Sequence, residues 1–593
     1  MTYFNENLSI IQQRFPNIAN RIEQFNRTSE GSSSIFKEPL KRDESWLTAV
    51  EGSVNDMKVV FLYGFSQGLG LSDLLEKYPD RFFIVYEPDE AVFNHSMENY
   101  QMKDLLAWPQ LLWVSVGPTQ LKMLFYKICT YMDQELAFVA LRHHLEKNIE
   151  VLHDLRESFE EYRATFVSNR HTERHFRKIW LQNSLNQLAS MLVSPSVMEL
   201  AGSFSGSTAV IVASGPSLDK DIAWLRKFQP HALIISAGSS IQALLRHNIE
   251  PHLVTVMDGG AINAKVFENP RATKPPLFFG STAYYGVSDK KNDDTIYGIV
   301  QNDEIGKFCM GMESQDPTIL PTPTVTGTAI QAAVWLGVSR IVMMGQDLSF
   351  SEGKFYTSGV EHTDATHNET IVERSQHTVL NVYGGYNQTT QNFLFMKDGL
   401  ESLISILPNI EFINATRGGA AIEGAAWKPA EEVYSLLVEQ RVESNAVSKL
   451  LEQTHTSNED KINTVKSRLL NISSDISVLR SELNMLKKQI DRLSEQSRSN
   501  ANKAWRTMES VEVLWGNIVN RDWFNPVFET LLTDRLNEFD RILPEIATET
   551  DIRKKADLAY HHLRKLGEDI TKELPYLQEN VTESLKRIAE IHI

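Results

Sequence analysis

The stretch AVIVASGPSLDKDIAWL, residues 209–225, sets a short apolar run against Gly215-Pro216-Ser217 and then begins a helical pattern. Gly215 permits a backbone conformation that other residues resist, Pro216 fixes φ near the helical value, and Ser217 can accept from first-turn amides as an N-cap. Such a helix start leaves amides free to receive an anion, most simply a phosphate. No lysine stands in P-loop spacing. A second helix start, Thr326-Gly327-Thr328 in PTVTGTAIQAAVWLGVSRIVMMGQDLSF, offers hydroxyls and amides to a carboxylate or phosphate, and the strand after it ends in Gly345-Gln346-Asp347. Ser214, Leu218, Ser239, Ser240 and Asp258 complete the polar ends and turns around these elements. Asp258 and Asp347 are suited to bind a ribose or sugar hydroxyl, and equally to cap a helix or close a turn.

These residues need a scaffold that brings strand ends together. Strand candidates begin at 209, 232, 253, 277, 340 and 411, with amphipathic segments between most of them. Short, continuous β-branched runs separated by helices predict a mostly parallel, Rossmann-like sheet covered on both faces, with ligands beyond the carboxyl ends of its strands. Upstream, KVVFLYG, a glycine turn (Gly64, Gly68, Gly70), LSDLLEKY and RFFIVYEPDEAVF read as a βαβ unit. Its glycines could admit a nucleotide with Glu87 on a ribose hydroxyl, or simply form a tight turn with Glu87 as a surface acid; GxxxGxG is not the dinucleotide fingerprint. Long amphipathic helices are expected over Gln120 to Leu192.

After Glu431 strand signals nearly vanish. Ile462, Val465, Leu469, Ile472, Ile476, Leu479, Leu483, Leu486, Ile490 and Leu493 keep an unbroken 3,4 spacing, a heptad seam on a helix of about 48 Å. That stripe must be buried against WGNIVNRDWFNPVFETLL and ADLAYHHLRKLGEDI of the same chain, against a second copy, or against a helical partner. The fold class expected is therefore α/β: a smaller αβ domain over 1–200, the central sheet domain over 201–430 and an all-helical domain over 431–593.

Composition narrows the partners. A chain of 593 residues has room for three or so domains. With a formal net charge of -17 it has no basic excess to neutralise nucleic acid or anionic lipid. Cys129 and Cys309 form neither a disulfide framework nor a thiolate zinc site. The start MTYFNENLSIIQQRFPNI lacks a basic segment followed by an apolar one, and no run of about 18 apolar residues occurs, so a cytoplasmic, non-membrane protein is expected.

The pair ASGPSLDKDI and TGTAIQAAVWLGVSRIVMMGQDLSFSEGKFYTSG, joined by YGFSQGLG and YEPD, resembles the central region of the motility accessory factors, the Maf flagellin glycosyltransferases. It is more distantly similar to bacterial sialyltransferases, which carry a comparable GPSL turn, a threonine-serine-glycine helix start and a glycine-x-aspartate strand end. The resemblance covers approximately residues 55 to 430. It implies transfer of a nonulosonic acid, such as a pseudaminic or legionaminic acid, from its CMP ester to serine or threonine of flagellin, inverting by analogy, in support of flagellum assembly and motility. On that resemblance Ser214, Gly215, Ser217 and Leu218, with Ser239, line the cytidine phosphate site, and Thr326, Gly327 and Thr328 hold the sugar carboxylate. The sialyltransferases place a histidine base where this chain reads VYGGYNQTTQNFLFMKDGL, with Tyr383, Tyr386 and Asn387. The base is open among Asp258, Asp347, Tyr383 and His362, the last of which, with His367, falls in an expected flexible loop. A CMP-activated sugar as donor needs no permanently bound cofactor, and no metal is expected. The same GPSL turn is also similar to that of an archaeal hydroxymethyl-dihydropterin diphosphokinase, in which Asp258 and Asp347 would hold magnesium against ATP. A non-catalytic flagellin-binding factor is the third reading, and self-association through the seam stays open.

Overall fold

Short β-branched runs build two parallel sheets in this protein, for which a computed structural model describes residues 3–19, 42–131, 136–291, 293–360, 365–454 and 459–591. The chain divides into two units, Met1–His175 and Phe176–Ile593, within the long helix Ile149–Leu192. The helical tail and the central sheet thus fall in one unit.

In the first unit, β1 (Val59–Tyr63), β2 (Phe82–Glu87), β3 (Leu111–Val116) and β4 (Ala137–Ala140) lie in the order β3-β2-β1-β4, all parallel. The expected βαβ unit is β1, the helix Leu69–Lys77 and β2. The expected run of helices from Gln120 to Leu192 is interrupted by β4. Four residues are too few for periodicity to separate strand from helix. They become a strand because β1 offers an open edge, against which Val60 to Tyr63 pair with Ala137 to Ala140.

The second unit carries β5 (Thr208–Val212), β6 (Leu233–Ala237), β7 (Leu253–Val256), β8 (Leu277–Gly280), β9 (Thr295–Gly298), β10 (Arg340–Met344), a hairpin of β11 (His377–Leu380) and β12 (Tyr386–Thr389), then β13 (Glu411–Asn414) and β14 (Ala426–Trp427). Eight of these make one sheet in the order β14-β13-β10-β5-β6-β7-β8-β9, parallel throughout. All six strands expected from the sequence are present; β9 and β14 are additional. Alternation sends Val210 and Val212 to one face, against Leu218, Ile222, Leu225 and Phe228 of the helix Leu218–Phe228. Ala209 and Ile211 go to the other, against Ala329, Ile330, Ala332 and Ala333 of the helix Val325–Trp335. The chain leaves β5 outward through β6 to β9 and returns to β10 on the opposite side, so the switch in direction falls between β5 and β10. A crevice opens at the carboxyl ends of such a pair.

The heptad stripe lies on one helix, Glu459–Ser499, and all ten of its aliphatic positions are buried. They form one core cluster with residues of Ala501–Val519 and Arg564–Ala589, and with Val254, Phe279 and Leu181 to Leu192 from the sheet side. The seam is covered by this chain, so it is not the free surface that self-association or a helical partner would need. Arg521 fixes the helix pair by reaching Asp475 at 2.8 Å and Glu482 at 2.5 Å, while Trp523 Nε1 donates to Asp475 at 3.0 Å. Among the described residues no helix is long and apolar enough to cross a membrane.

One buried histidine makes the core pH-sensitive. His252, just before β7, accepts from Ile234 N through Nδ1 at 2.9 Å, and burial lowers its pKa to about 4 from 6.5. Below pH 6.5 the unfolded chain takes a proton that the folded chain refuses, so stability is lost as pH falls toward 4. Asp347, raised by burial to about 6, acts in the opposite sense: its contribution is present at low pH and lost as pH rises through that value. His252→Asn keeps an acceptor near the Nδ1 position and removes only the titration. Between pH 7 and pH 5 the wild type is expected to lose about 2 kcal/mol more than this variant, read as a steeper fall of its thermal midpoint.

Candidate functional site

The crevice between the ends of β5 and β10 opens into a cleft of about 420 Å³. Ser214 and Gly215 enter it after β5, Gly238 and Ser239 after β6, Asp258 after β7 and Gly345 to Ser349 after β10, with Thr324 to Thr326 at the start of the helix Val325–Trp335. Tyr284, Phe355, Tyr356 and Phe393 add aromatic walls. Asp258 and Asp347 are the charged residues of this lining among the described residues; it contains no lysine or arginine.

The GPSL turn is built differently from the sequence expectation. Gly215 does not adopt a positive φ; it is required by space, because a Cβ there would lie 2.5 Å from the Gly345 carbonyl and collide with the Asp347 carboxylate. Its N–H donates to Gly345 O at 2.8 Å, and Leu218 N donates to Gly215 O at 3.1 Å. Ser217 accepts no cap hydrogen bond. Its Oγ donates to Asp347 Oδ2 at 2.7 Å and its N–H to Oδ1 at 3.2 Å. The anion at this helix start is therefore the protein's own Asp347, and the amides expected to cradle phosphate are already committed. Leu218 is in the core, so Ser217 and Leu218 position the turn, whereas Ser214 and Gly215 face the cleft. Ser239 Oγ donates to Ser214 Oγ at 3.1 Å, pairing two hydroxyls on the cleft floor.

Asp347 is 3% exposed, and desolvation raises its pKa to about 6 despite the Ser217 hydrogen bonds. Bound in this way it braces β10 against the turn while still lining the cleft. Glu87 braces a turn in the same way in the first unit. It is 2% exposed, accepts from Phe65 N at 2.8 Å and Ser66 N at 2.9 Å through Oε2, and from Asp89 N at 3.0 Å through Oε1. Neither sequence expectation for Glu87, ribose acid or surface acid, holds.

At the second helix start the cap is Thr324, whose Oγ1 accepts from Gly327 N at 3.3 Å. Thr326 faces the cleft and donates through Oγ1 to Gln346 Oε1 at 2.6 Å. Thr328 is fully buried, and Gly327 leaves space for Thr322, whose Cβ would be 2.7 Å from an added Cβ. Of the three residues assigned to a sugar carboxylate, Thr326 alone reaches the cleft. Thr324 and Gln346 were legible as a hydroxyl three residues before Gly327 and as the middle of GQD; Tyr284 and Tyr356 had no local signal.

Asp258 differs from Asp347. Its side chain meets solvent through the cleft, while surrounding protein desolvates it enough to raise its pKa. It makes no side-chain hydrogen bond among the described residues. Tyr356 feels it: burial, then the Asp258 charge, raises the phenol's pKa. Asp258 is the uncommitted carboxylate of the cleft. Tyr383 is not part of it; the ring is 59% exposed and meets Trp427 edge-on at 5.2 Å. His362 lies outside the described residues. His367 falls on the helix Ala365–Arg374 rather than in a loop, and its side chain is outside the description.

Asp258 and Asp347 line the same cleft, the second already engaged by Ser217, and no group of three His, Cys, Asp or Glu converges among the described residues.

A parallel α/β sheet with its cleft at the switch in strand direction and a helical region downstream defines the class. Residues 182–353 match the family model described as 6-hydroxymethylpterin diphosphokinase MptE-like. An uncharacterized protein of Treponema pallidum (strain Nichols) is 26% identical over 162 residues, 27% of this chain and 55% of that protein, so the match spans about half the length of that curated relative. A MAf glycosyltransferase from Magnetospirillum magneticum AMB-1 shares the fold with a TM-score of 0.57 over 100% of this chain and 99% of that one, at 16% identity. The resemblance read in the sequence thus extends, at the level of fold, through the helical tail.

Proposed function

We propose that the protein is a glycosyltransferase that moves a nonulosonic acid from its CMP ester to a serine or threonine hydroxyl of flagellin, in the cytoplasm. The observation that carries this reading is a cleft at the switch between β5 and β10 whose described residues line it with hydroxyls and supply one uncommitted carboxylate and no lysine or arginine. A nucleoside monophosphate, with little charge to neutralise, suits such a lining better than a triphosphate. Ser214, Ser239 and Thr326, with the amides at the start of Val325–Trp335, would receive the phosphate and the sugar carboxylate. In the transfer step the acceptor oxygen bonds to the anomeric carbon, the bond from that carbon to the CMP oxygen breaks with its electrons leaving on CMP, and Asp258 takes the hydroxyl proton. Attack opposite the leaving group inverts the centre. A base must be ionised yet avid for a proton, and a raised carboxylate pKa serves both needs.

CMP is expected to raise the thermal midpoint; at a hundredfold excess over its Kd the gain is about 2.7 kcal/mol. A larger rise with ATP and magnesium would favour the diphosphokinase reading that the MptE-like match keeps alive. Absence of any CMP effect in calorimetry would favour a non-catalytic factor. Mass spectrometry of flagellin from cells with and without the protein tests the acceptor and the sugar.

A further inference from the structure

Tyr383 and Tyr386 stand at the end of an antiparallel hairpin, β11–β12, that the cleft chemistry does not use. The hairpin is rigid at its tip. Asn381 Oδ1 accepts from Tyr383 N at 3.0 Å and Gly385 N at 3.1 Å, and Asn381 Nδ2 donates to Asn387 Oδ1 at 2.9 Å. It is also fastened to the cleft rim at its base. Asn387 Nδ2 donates to Ser349 Oγ at 2.9 Å, Thr389 Oγ1 donates to Leu348 O at 2.9 Å, and Phe350 N donates to Gln388 O at 2.9 Å. Leu348 and Ser349 line the cleft, as do Thr390 and Phe393 just after β12. The outer edge is held too, by Ala421 N to Leu380 O at 2.8 Å and Val382 N to Gly419 O at 3.0 Å.

On this fixed frame three large side chains reach solvent: Tyr386 is 73% exposed, Tyr383 59% and Leu380 46%. The nearby Arg417 is paired with Asp221 at 2.8 Å, so its charge is already matched. Tyrosines on a rigid backbone give amphipathic contact area at small entropic cost, the chemistry that suits polypeptide. Tyr386 lies three residues from Thr389, about 10 Å at strand rise, which is the span of about three residues of extended peptide.

We propose that the exposed tip of this hairpin, which carries Tyr383 and Tyr386, docks the polypeptide that bears the acceptor hydroxyl, holding the chain a few residues away from the modified position. The proposal rests on the transferase reading, and its occupant follows from continuity with the cleft mouth: the hairpin is bonded to Leu348, Ser349 and Phe350 at the rim, so a polypeptide that presents a hydroxyl to the cleft from this side lies across it.

The test compares the wild type with Tyr383→Ala/Tyr386→Ala, using unassembled flagellin as the probe. The expected result is a KM for flagellin raised about tenfold or more, with kcat at saturating flagellin and the CMP-induced thermal shift unchanged; Tyr383→Phe/Tyr386→Phe should recover most of the loss. Flagellin binding without donor, by calorimetry, separates this proposal from the reading beneath it. If wild type binds flagellin and the alanine variant does not, the docking face stands even where no sugar is transferred. Equal binding by the two, or no flagellin binding by the wild type, overturns it.

Discussion

Asp258→Asn should lower the rate of sugar transfer by about a hundred- to ten-thousand-fold, the usual contribution of a positioned general base, while CMP still raises the thermal midpoint. Asparagine keeps the shape at the end of β7 and removes the proton acceptor. The variant should fold normally, because no hydrogen bond to this carboxylate is lost among the described residues. The same chemistry gives a pH signature. Asp258 works only when ionised, and desolvation raises its pKa, so wild-type kcat should fall on the acid side with a limb above the ordinary carboxylate value. That limb should be missing from the residual activity of the variant. A variant retaining most of the wild-type kcat would remove Asp258 from the base role. Loss of the CMP shift together with the rate would make it a donor-binding group instead.

The other large effect is on stability. Ile476 and Leu483 are buried in the core cluster that joins the heptad helix to its two neighbours and to the sheet side. An unpaired lysine in such a site costs several kcal/mol, and two of them approach the whole stability of an ordinary domain, about 5 to 15 kcal/mol. Ile476→Lys/Leu483→Lys should therefore lose helicity and become protease-sensitive between 459 and 591. Had the seam been a contact between copies, the variant would stay helical and only change in mass. Unchanged helicity, mass and protease resistance would show that the stripe is not core. Removing the tail altogether is a poorer experiment than the sequence suggests. The heptad residues share their core with Val254, Phe279 and Leu181 to Leu192, so truncation would expose apolar surface on the unit that also holds the cleft.

Much of the central architecture was legible because its signals are local. A run such as AVIVAS between polar turns reads as a buried strand from five or six residues, and the 3,4 spacing from Ile462 to Leu493 reads as one long helix. β4, β9 and β14 were not legible. Each is two to four residues long and becomes a strand only because a neighbour's edge supplies its hydrogen bonds.

At the cleft, sequence alone determined which segments line it: the GPSL turn, the TGT helix start, the end of β7 and GQD are all there, because crevices in a parallel sheet form at strand ends, and strand ends are marked by glycine and small polar residues. Tertiary structure decided what each residue does. Asp258 and Asp347 look alike in the chain, each following an apolar strand. Only the strand order puts Asp347 beside β5, where Ser217 donates to its carboxylate and Gly215 leaves room for it, and sets Asp258 after β7, two strands beyond β5, with its side chain exposed in the cleft lining. The same holds for the heptad stripe, whose spacing demands burial without saying by what. Pairing across 130 residues, as between Ser217 and Asp347, depends on which strand lies next to which, and that is set by the packing of the whole sheet rather than by any local run of residues.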